Sequence, residues 1–257
     1  MSALAEMPPR TPPFLDDLTP DSGLALRLWT ADEYRRMASA HFWEPEDRLV
    51  LVGGELVFLD TGLPRLFGRE EYYRLGELGI LPPDERTELI YGRIIKRMSP
   101  MGRPHCVSVI KTTDAPKAVF GDDWAIEPQV SLRLGSGLEP QPDVMVLPGT
   151  SDDYTDAPLA SNVVLLVEIS DSTLRYDRGT KARMYAAEGI PDYWLVHLQV
   201  RTLEVRRQPE NGAYLSLKVY GEEQAAAPFA APNTLVNVID LLPLDQSRIR
   251  EGREQSL

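Results

Sequence analysis

Residues 162–170, NVVLLVEIS, constrain the fold more than any other stretch of the chain. Side chains alternate between the two faces of a strand, and here both faces are aliphatic, so the run is at home only in the centre of a sheet covered on both sides. Its uninterrupted aliphatic part, Val163 to Val167, is far shorter than the roughly 20 residues that cross a bilayer. One side chain breaks the pattern. Glu168 shares its face with Val164, Leu166 and Ser170, and a carboxylate there is costly to ionise without a partner cation or a metal.

The neighbouring segments supply the rest of an α/β architecture. AIEPQVSLRL (125–134) and PDVMVL (142–147) read as strands divided by a Gly/Pro-rich turn. A helical pattern runs from about Asp177 to Glu188 and stops at Gly189, with Pro191 soon after. DYWLVHL (192–198), TLEVRRQ (202–208) and AYLSLKVYG (213–221) are further strands, the last two joined through PENG as a hairpin. Residues from about 104 to 118 suit a helix whose end is weakened by Asp114 and Pro116.

The first half carries an internal repeat. LWTADEYRRM…WEPEDRLVLVGGELVFLD, from Leu28, realigns without a gap 38 residues later on LFGREEYYRL…LPPDERTELIYGRIIKRM, from Leu66. Such a fixed offset marks one supersecondary unit used twice, here a short amphipathic helix followed by a β-hairpin. Val50 of the first copy has Glu88 as its counterpart. Either the second copy alone carries chemistry, or this is a surface strand position that tolerates both side chains. The expected organisation is a Pro-rich, disordered leader (1–25), a degenerate copy of the helix–hairpin (26–61) and a main domain (62–257).

Charge and ligand chemistry narrow the function. The net charge of −12 is opposite to the usual footprint of a nucleic-acid binder, but residues 1–61 account for half of it. No acid lies between Leu89 and Thr113, where Arg93, Lys96, Arg97, Arg103 and Lys111 supply cations. Arg175, Arg178, Lys181 and Arg183 form a second basic group. These are either solvated faces or the walls of a phosphate-binding groove. One cysteine, Cys106, excludes an intrachain disulfide and a Cys-cluster zinc site, and three scattered histidines argue against a His-rich one. Any metal is therefore held by oxygens. The N-terminus, MSALAEMPPRTPP, lacks the basic start and apolar stretch of a secretory signal, so a cytoplasmic protein without membrane attachment is expected.

Three residues form the candidate constellation. Asp143 opens a buried-looking strand, Glu168 sits near the end of the most apolar one, and Lys181 lies on the helix that follows. If the strands are neighbours, the two acids can share a hard divalent ion completed by water and phosphate. Each also has a plain structural role: Asp143 as a turn residue, Glu168 paired with an arginine, Lys181 as a solvated helix charge four residues from Asp177.

The segments ERTELIYGRIIKRMSPMGRPH, EPQVSLRL, QPDVMVL, LLVEISDSTLRYDRGTKARMYAAEGIPDYWLV and RTLEV resemble the Uma-type restriction endonuclease family of the PD-(D/E)xK nuclease superfamily. The resemblance runs from about Leu66 to the C-terminal strands and implies a restriction-endonuclease-like mixed central sheet flanked by helices. It also implies that Asp143 and Glu168 bind metal and that Glu88 is an additional acid. The lysine of the superfamily pattern, two residues after the second acid, is absent, since that position is Ser170, and the resemblance implies that its role passes to Lys181. The function implied is Mg²⁺-dependent hydrolysis of DNA phosphodiesters, with Mn²⁺ as a substitute metal and a homodimer serving two strands. Arg93, Arg97, Arg103 and His105 are the expected nucleic-acid contacts. His105 is alternatively a surface histidine, and Tyr185, one turn after Lys181, is read as packing. The rival functions are a catalytically weak or inactive scaffold binding nucleic acid or protein, and a hydrolase of some other phosphate ester.

Overall fold

Leu24 and Leu26 flank a small residue, and this short alternation forms the first strand, β1 (Leu24–Leu26), in the computed structural model, which describes residues 15–98, 101–135 and 137–245. The leader expected over 1–25 lies outside the described residues up to position 14. From Leu15 onward the chain makes two single 3₁₀ turns and then β1, so its last residues are structured instead of trailing.

Helix α1 (Ala31–Ser39) begins where Thr30 and Glu33 cap each other. The Glu33 amide donates to Thr30 Oγ1 at 3.2 Å, and the Glu33 carboxylate accepts from the Thr30 amide at 2.7 Å. A hairpin, β2 (Leu49–Val52) and β3 (Glu55–Phe58), follows through Gly53 and Gly54, both at positive φ. Helix α2 (Arg69–Glu77) precedes a second hairpin, β4 (Thr87–Ile90) and β5 (Arg93–Arg97), turned through Tyr91 and Gly92, again both at positive φ. β1 pairs with β5 to give a three-stranded sheet in the order β1-β5-β4. Met37, Leu75, Leu89 and Ile94 lie in the core of this unit.

The chain divides into two compact units. The first takes the described residues up to 98 together with 133–140, and the second takes 101–132 and 141–245. The returning segment is fastened to the first unit by Glu139. Its amide and carbonyl bond to Leu89, while its buried carboxylate accepts from Arg69 Nε at 2.6 Å and from the Tyr73 hydroxyl. The strand expected over 125–134 stops at Pro128, where Gln129 takes a positive φ, and residues 133–140 belong to the first unit.

In the second unit, helix α3 (Arg103–Phe120) runs past Asp114 and Pro116 to Gly121, beyond the end expected from the sequence. A proline removes a single helical N–H, and Pro116 is buried. The strands β6 (Trp124–Pro128), β7 (Val144–Pro148), β8 (Leu165–Ser170), β9 (Asp192–His197), β10 (Thr202–Glu210) and β11 (Ala213–Gly221) form one sheet in the order β11-β10-β9-β8-β7-β6. β8 and β9 are parallel and the remaining pairs antiparallel, so the sheet is mixed. β10 and β11 turn through Asn211 and Gly212, both at positive φ. All six residues of β8 are buried. Leu165, Val167 and Ile169 join Val109 of α3 in one core, and the alternate residues face the opposite side.

Between β8 and β9 the helical run has three parts. Helix α4 (Leu174–Tyr176) leads into a π turn (Asp177–Lys181), and helix α5 (Ala182–Ala187) follows. Sequence periodicity gives one helix here; the π turn reflects an extra residue in the ladder, a feature enriched at functional sites. It is anchored by Asp177, whose Oδ2 accepts from Thr173 Oγ1 at 2.5 Å and whose carbonyl accepts from the Tyr193 hydroxyl at 3.0 Å.

Candidate active site

The register of β7 against β8 brings two acids together. Val144 pairs with Val167 and Met145 with Leu166, so the next position outward sets Asp143 directly across from Glu168. The Ile169 amide donates to Asp143 Oδ2 at 2.9 Å, fixing that carboxylate against the β8 backbone beside Glu168. Both acids are almost fully buried.

Each carboxylate has its own shell. The His105 ring, on the first turn of α3, donates through Nε2 to Asp143 Oδ2 at 3.2 Å, since an ionised carboxylate only accepts. Gln129 donates through Nε2 to Oδ1 at 3.3 Å, and its amide bonds to the Asp143 carbonyl at 3.1 Å. Gln129 makes both contacts from φ of 54°, a left-handed conformation that costs a non-glycine residue about 1 kcal/mol. Glu168 Oε1 accepts from Lys181 Nζ at 2.7 Å and from the Tyr185 hydroxyl at 2.6 Å. The π turn ends on Lys181, and Tyr185 is one α-helical turn further along the same face.

Burial pushes the Asp143 carboxyl up, but the hydrogen bond and charge of His105, the Lys181 charge and the Ile169 amide outweigh it and hold the group at about 2. A depressed folded-state value means that the carboxylate contributes stability fully above its unfolded value near 4 and loses it as the pH falls from there through about 2. The contribution is on the order of 2 kcal/mol. We expect urea unfolding in chelator to show this loss for wild type between about pH 4 and pH 2, with a visibly flatter profile for Asp143→Asn.

The other expected site residues are distributed as follows. Glu88 is half-buried in β4 of the first unit, across from Ile95, and the cluster described here is built from second-unit residues alone. Arg93, expected as a nucleic-acid contact, is buried and its guanidinium is held by the Glu55 carboxylate, so it does not lie on a solvated basic face. Arg97 is half-buried at the end of β5, whereas Arg103 is exposed on the first turn of α3. His105 is not on the surface: only 4 % of it is exposed, because its imidazole lies on Asp143. Tyr185 does more than pack, through its bond to Glu168. Its spacing of four from Lys181 was the available signal; nothing in the sequence pointed to Gln129.

The sequence pattern of the Uma2 family, described as "Putative restriction endonuclease", matches residues 69–238, well over half of the chain. The chain belongs to the Uma2 family. A solved structure with a similar fold is described as a putative nuclease belonging to DUF820 from Anabaena variabilis ATCC 29413. It is 18 % identical, with a TM-score of 0.51, and the likeness covers 65 % of this chain and 96 % of that one. No curated protein matched. The Uma2 match includes Asp143, Glu168, Lys181, His105, Gln129 and Tyr185 and leaves α1 and the β2–β3 hairpin outside it. Among the described residues, no helix is long and apolar enough to cross a membrane.

Proposed function

We propose that this Uma2 protein is a metal-dependent endonuclease that hydrolyses DNA phosphodiesters, with Mg²⁺ as its metal and Mn²⁺ as a substitute. The observation that carries the reading is the placement of Asp143 opposite Glu168, with the Lys181 ammonium on Glu168. The donor set fits a hard cation, because Mg²⁺ takes one or two carboxylates and leaves its other positions to water and phosphate. Asp143 is held ionised, as a ligand must be, and the buried Ser170 hydroxyl near Glu168 has no partner among the described residues, so polar capacity is left over there.

When bound to Asp143 and Glu168, the metal would polarise the phosphate and acidify a water. The protein's own groups do the remaining work. Gln129 and the Ile169 amide fix the Asp143 carboxylate, and His105 supplies a hydrogen bond that keeps it ionised. Lys181 sets the orientation of Glu168 and places a cation where negative charge grows during hydrolysis. Tyr185 holds the same oxygen from the helix side.

A binding scaffold of the same fold is the second reading. It is favoured by the net charge of −12, opposite to the usual footprint of a nucleic-acid binder, and by Ser170 standing two residues after Glu168 where the superfamily pattern has its lysine. Incubating the pure chain with supercoiled plasmid decides between them: nicking that appears with Mg²⁺ and stops with chelator supports the nuclease, and none at any salt or metal concentration supports the scaffold. The same reading takes residues 26–61 as a copy of the helix–hairpin that follows, outside the segment matched to Uma2.

A further inference from the structure

The two helix–hairpins of the first unit touch each other reciprocally. The Arg27 amide donates to the Ile94 carbonyl, and the Arg65 amide donates to the Leu56 carbonyl, both at 2.8 Å. Each donor and each acceptor differs from its counterpart by the 38-residue offset of the repeat. Arg36 bonds to the Leu78 carbonyl at 2.7 Å while Arg74 bonds to that of Ala40. Arg27 reaches the Ile80 carbonyl at 3.4 Å, and Arg65 reaches that of Phe42 at 2.8 Å. Leu26 pairs with Ile95, and Pro64 bridges Val57. Glu55 and Arg93, which occupy equivalent positions, form an ion pair with each other.

A contact set in which residue i of one element meets j of the other, and j of the first meets i of the second, is the signature of an isologous, two-fold interface. Two unrelated elements packed together have no reason to produce it. Contacts inside each helix–hairpin match as well. The Tyr34 hydroxyl bonds to the Leu49 carbonyl and that of Tyr72 to the Thr87 carbonyl, both at 2.9 Å. Gly54 and Gly92 each sit where a Cβ would lie 2.7 Å from the Cβ of the equivalent leucine, Leu28 or Leu66.

We infer that the face of α2, β4 and β5 turned toward α1, β2 and β3 is a self-association surface. Its partner is a second helix–hairpin of the same kind, supplied within this chain by the first copy and exchangeable for the first copy of another chain. This rests on reading the two as copies, and it stands apart from the nuclease reading because its measure is mass instead of cleavage. Exchange requires opening of the link between the copies, where Phe58 and Leu63 close a turn at 2.9 Å and Gly62 sits at φ of 68°.

The test uses full-length chains with two different tags. Glu55→Arg sets like charges against Arg93 within one chain, and Arg93→Glu does the same against Glu55. In an exchanged pair of the two variants, both interfaces regain opposite charges. Co-expressed Glu55→Arg and Arg93→Glu chains should therefore co-purify in a 1:1 ratio with twice the wild-type mass. Their yield should exceed that of either variant with itself at least about tenfold, the factor that about 1.4 kcal/mol provides. The double variant Glu55→Arg/Arg93→Glu should stay at the wild-type mass. Because the single variants can fail to fold, deletion of Thr61 and Gly62 gives an independent measurement: a link too short to reverse should drive exchange and double the mass. Folded variants whose mixture gains nothing over the self-mixtures, or a deletion variant that remains at the wild-type mass, would overturn the inference.

Discussion

If the proposed nuclease reading holds, Asp143→Asn should lower Mg²⁺-dependent plasmid nicking by about two to three orders of magnitude while the chain stays folded, the scale expected when one preorganised charge-stabilising group is lost. Asparagine has the shape of aspartate and keeps an oxygen for the Ile169 amide, so the β7–β8 junction loses a charge and little packing. Alanine is the poorer choice. It would strand the Ile169 amide and the Gln129 side chain in a buried place, at about 1–3 kcal/mol for each group left unsatisfied, and would confuse unfolding with lost chemistry. Single-turnover nicking, with circular dichroism on the same samples and Mn²⁺ titration by calorimetry, provides the readout. A folded Asn variant that nicks within threefold of wild type, or that binds Mn²⁺ as tightly, removes Asp143 from the proposed metal site.

The sequence was most informative where one physical requirement acted alone. A run apolar on both faces has one comfortable place, and residues 165–170 take it in the middle of the six-stranded sheet. Asn211-Gly212 satisfies the positive-φ demand of a two-residue turn, so the β10–β11 hairpin was legible from composition. Features set by tertiary contact were not. β1 is three residues long, and pairing with β5 makes it a strand where its proline-rich surroundings suggested a tail. Residues 133–140 return to the first unit because Arg69 and Tyr73 receive Glu139, partners more than 60 positions away in sequence. At the site, Asp143 and Glu168 stood out as acids in apolar strands. Of the groups that tune them, Lys181 was legible and His105 was expected on phosphate or at the surface instead of on Asp143, while Gln129 looks ordinary until the β6 end is placed beside β7. The π turn was hidden as well: DRGTK has ordinary helical periodicity, and only the need to bring Lys181 onto Glu168 shows the added residue.

Replacing Lys181 by methionine should cost about 3–5 kcal/mol of stability at neutral pH, the penalty for leaving one member of a buried ion pair charged and alone. Both side chains are almost wholly buried, so neither solvent nor salt screens the loss. Glu168→Gln removes the charge from the other side, and its amide oxygen still accepts from the Tyr185 hydroxyl. The double variant Glu168→Gln/Lys181→Met should accordingly be more stable than the two single losses add up to, with a coupling of about 1–3 kcal/mol in urea denaturation. Nicking should not recover with stability, because the double variant has lost both the proposed metal carboxylate and the cation beside it. Lys181→Arg, which retains the charge, should regain stability and part of the turnover. If the double variant nicks as wild type does, the pair holds the sheet to the helix and nothing more; if the single losses simply add, the two side chains do not act as a pair and the site has to be rebuilt around Asp143 alone.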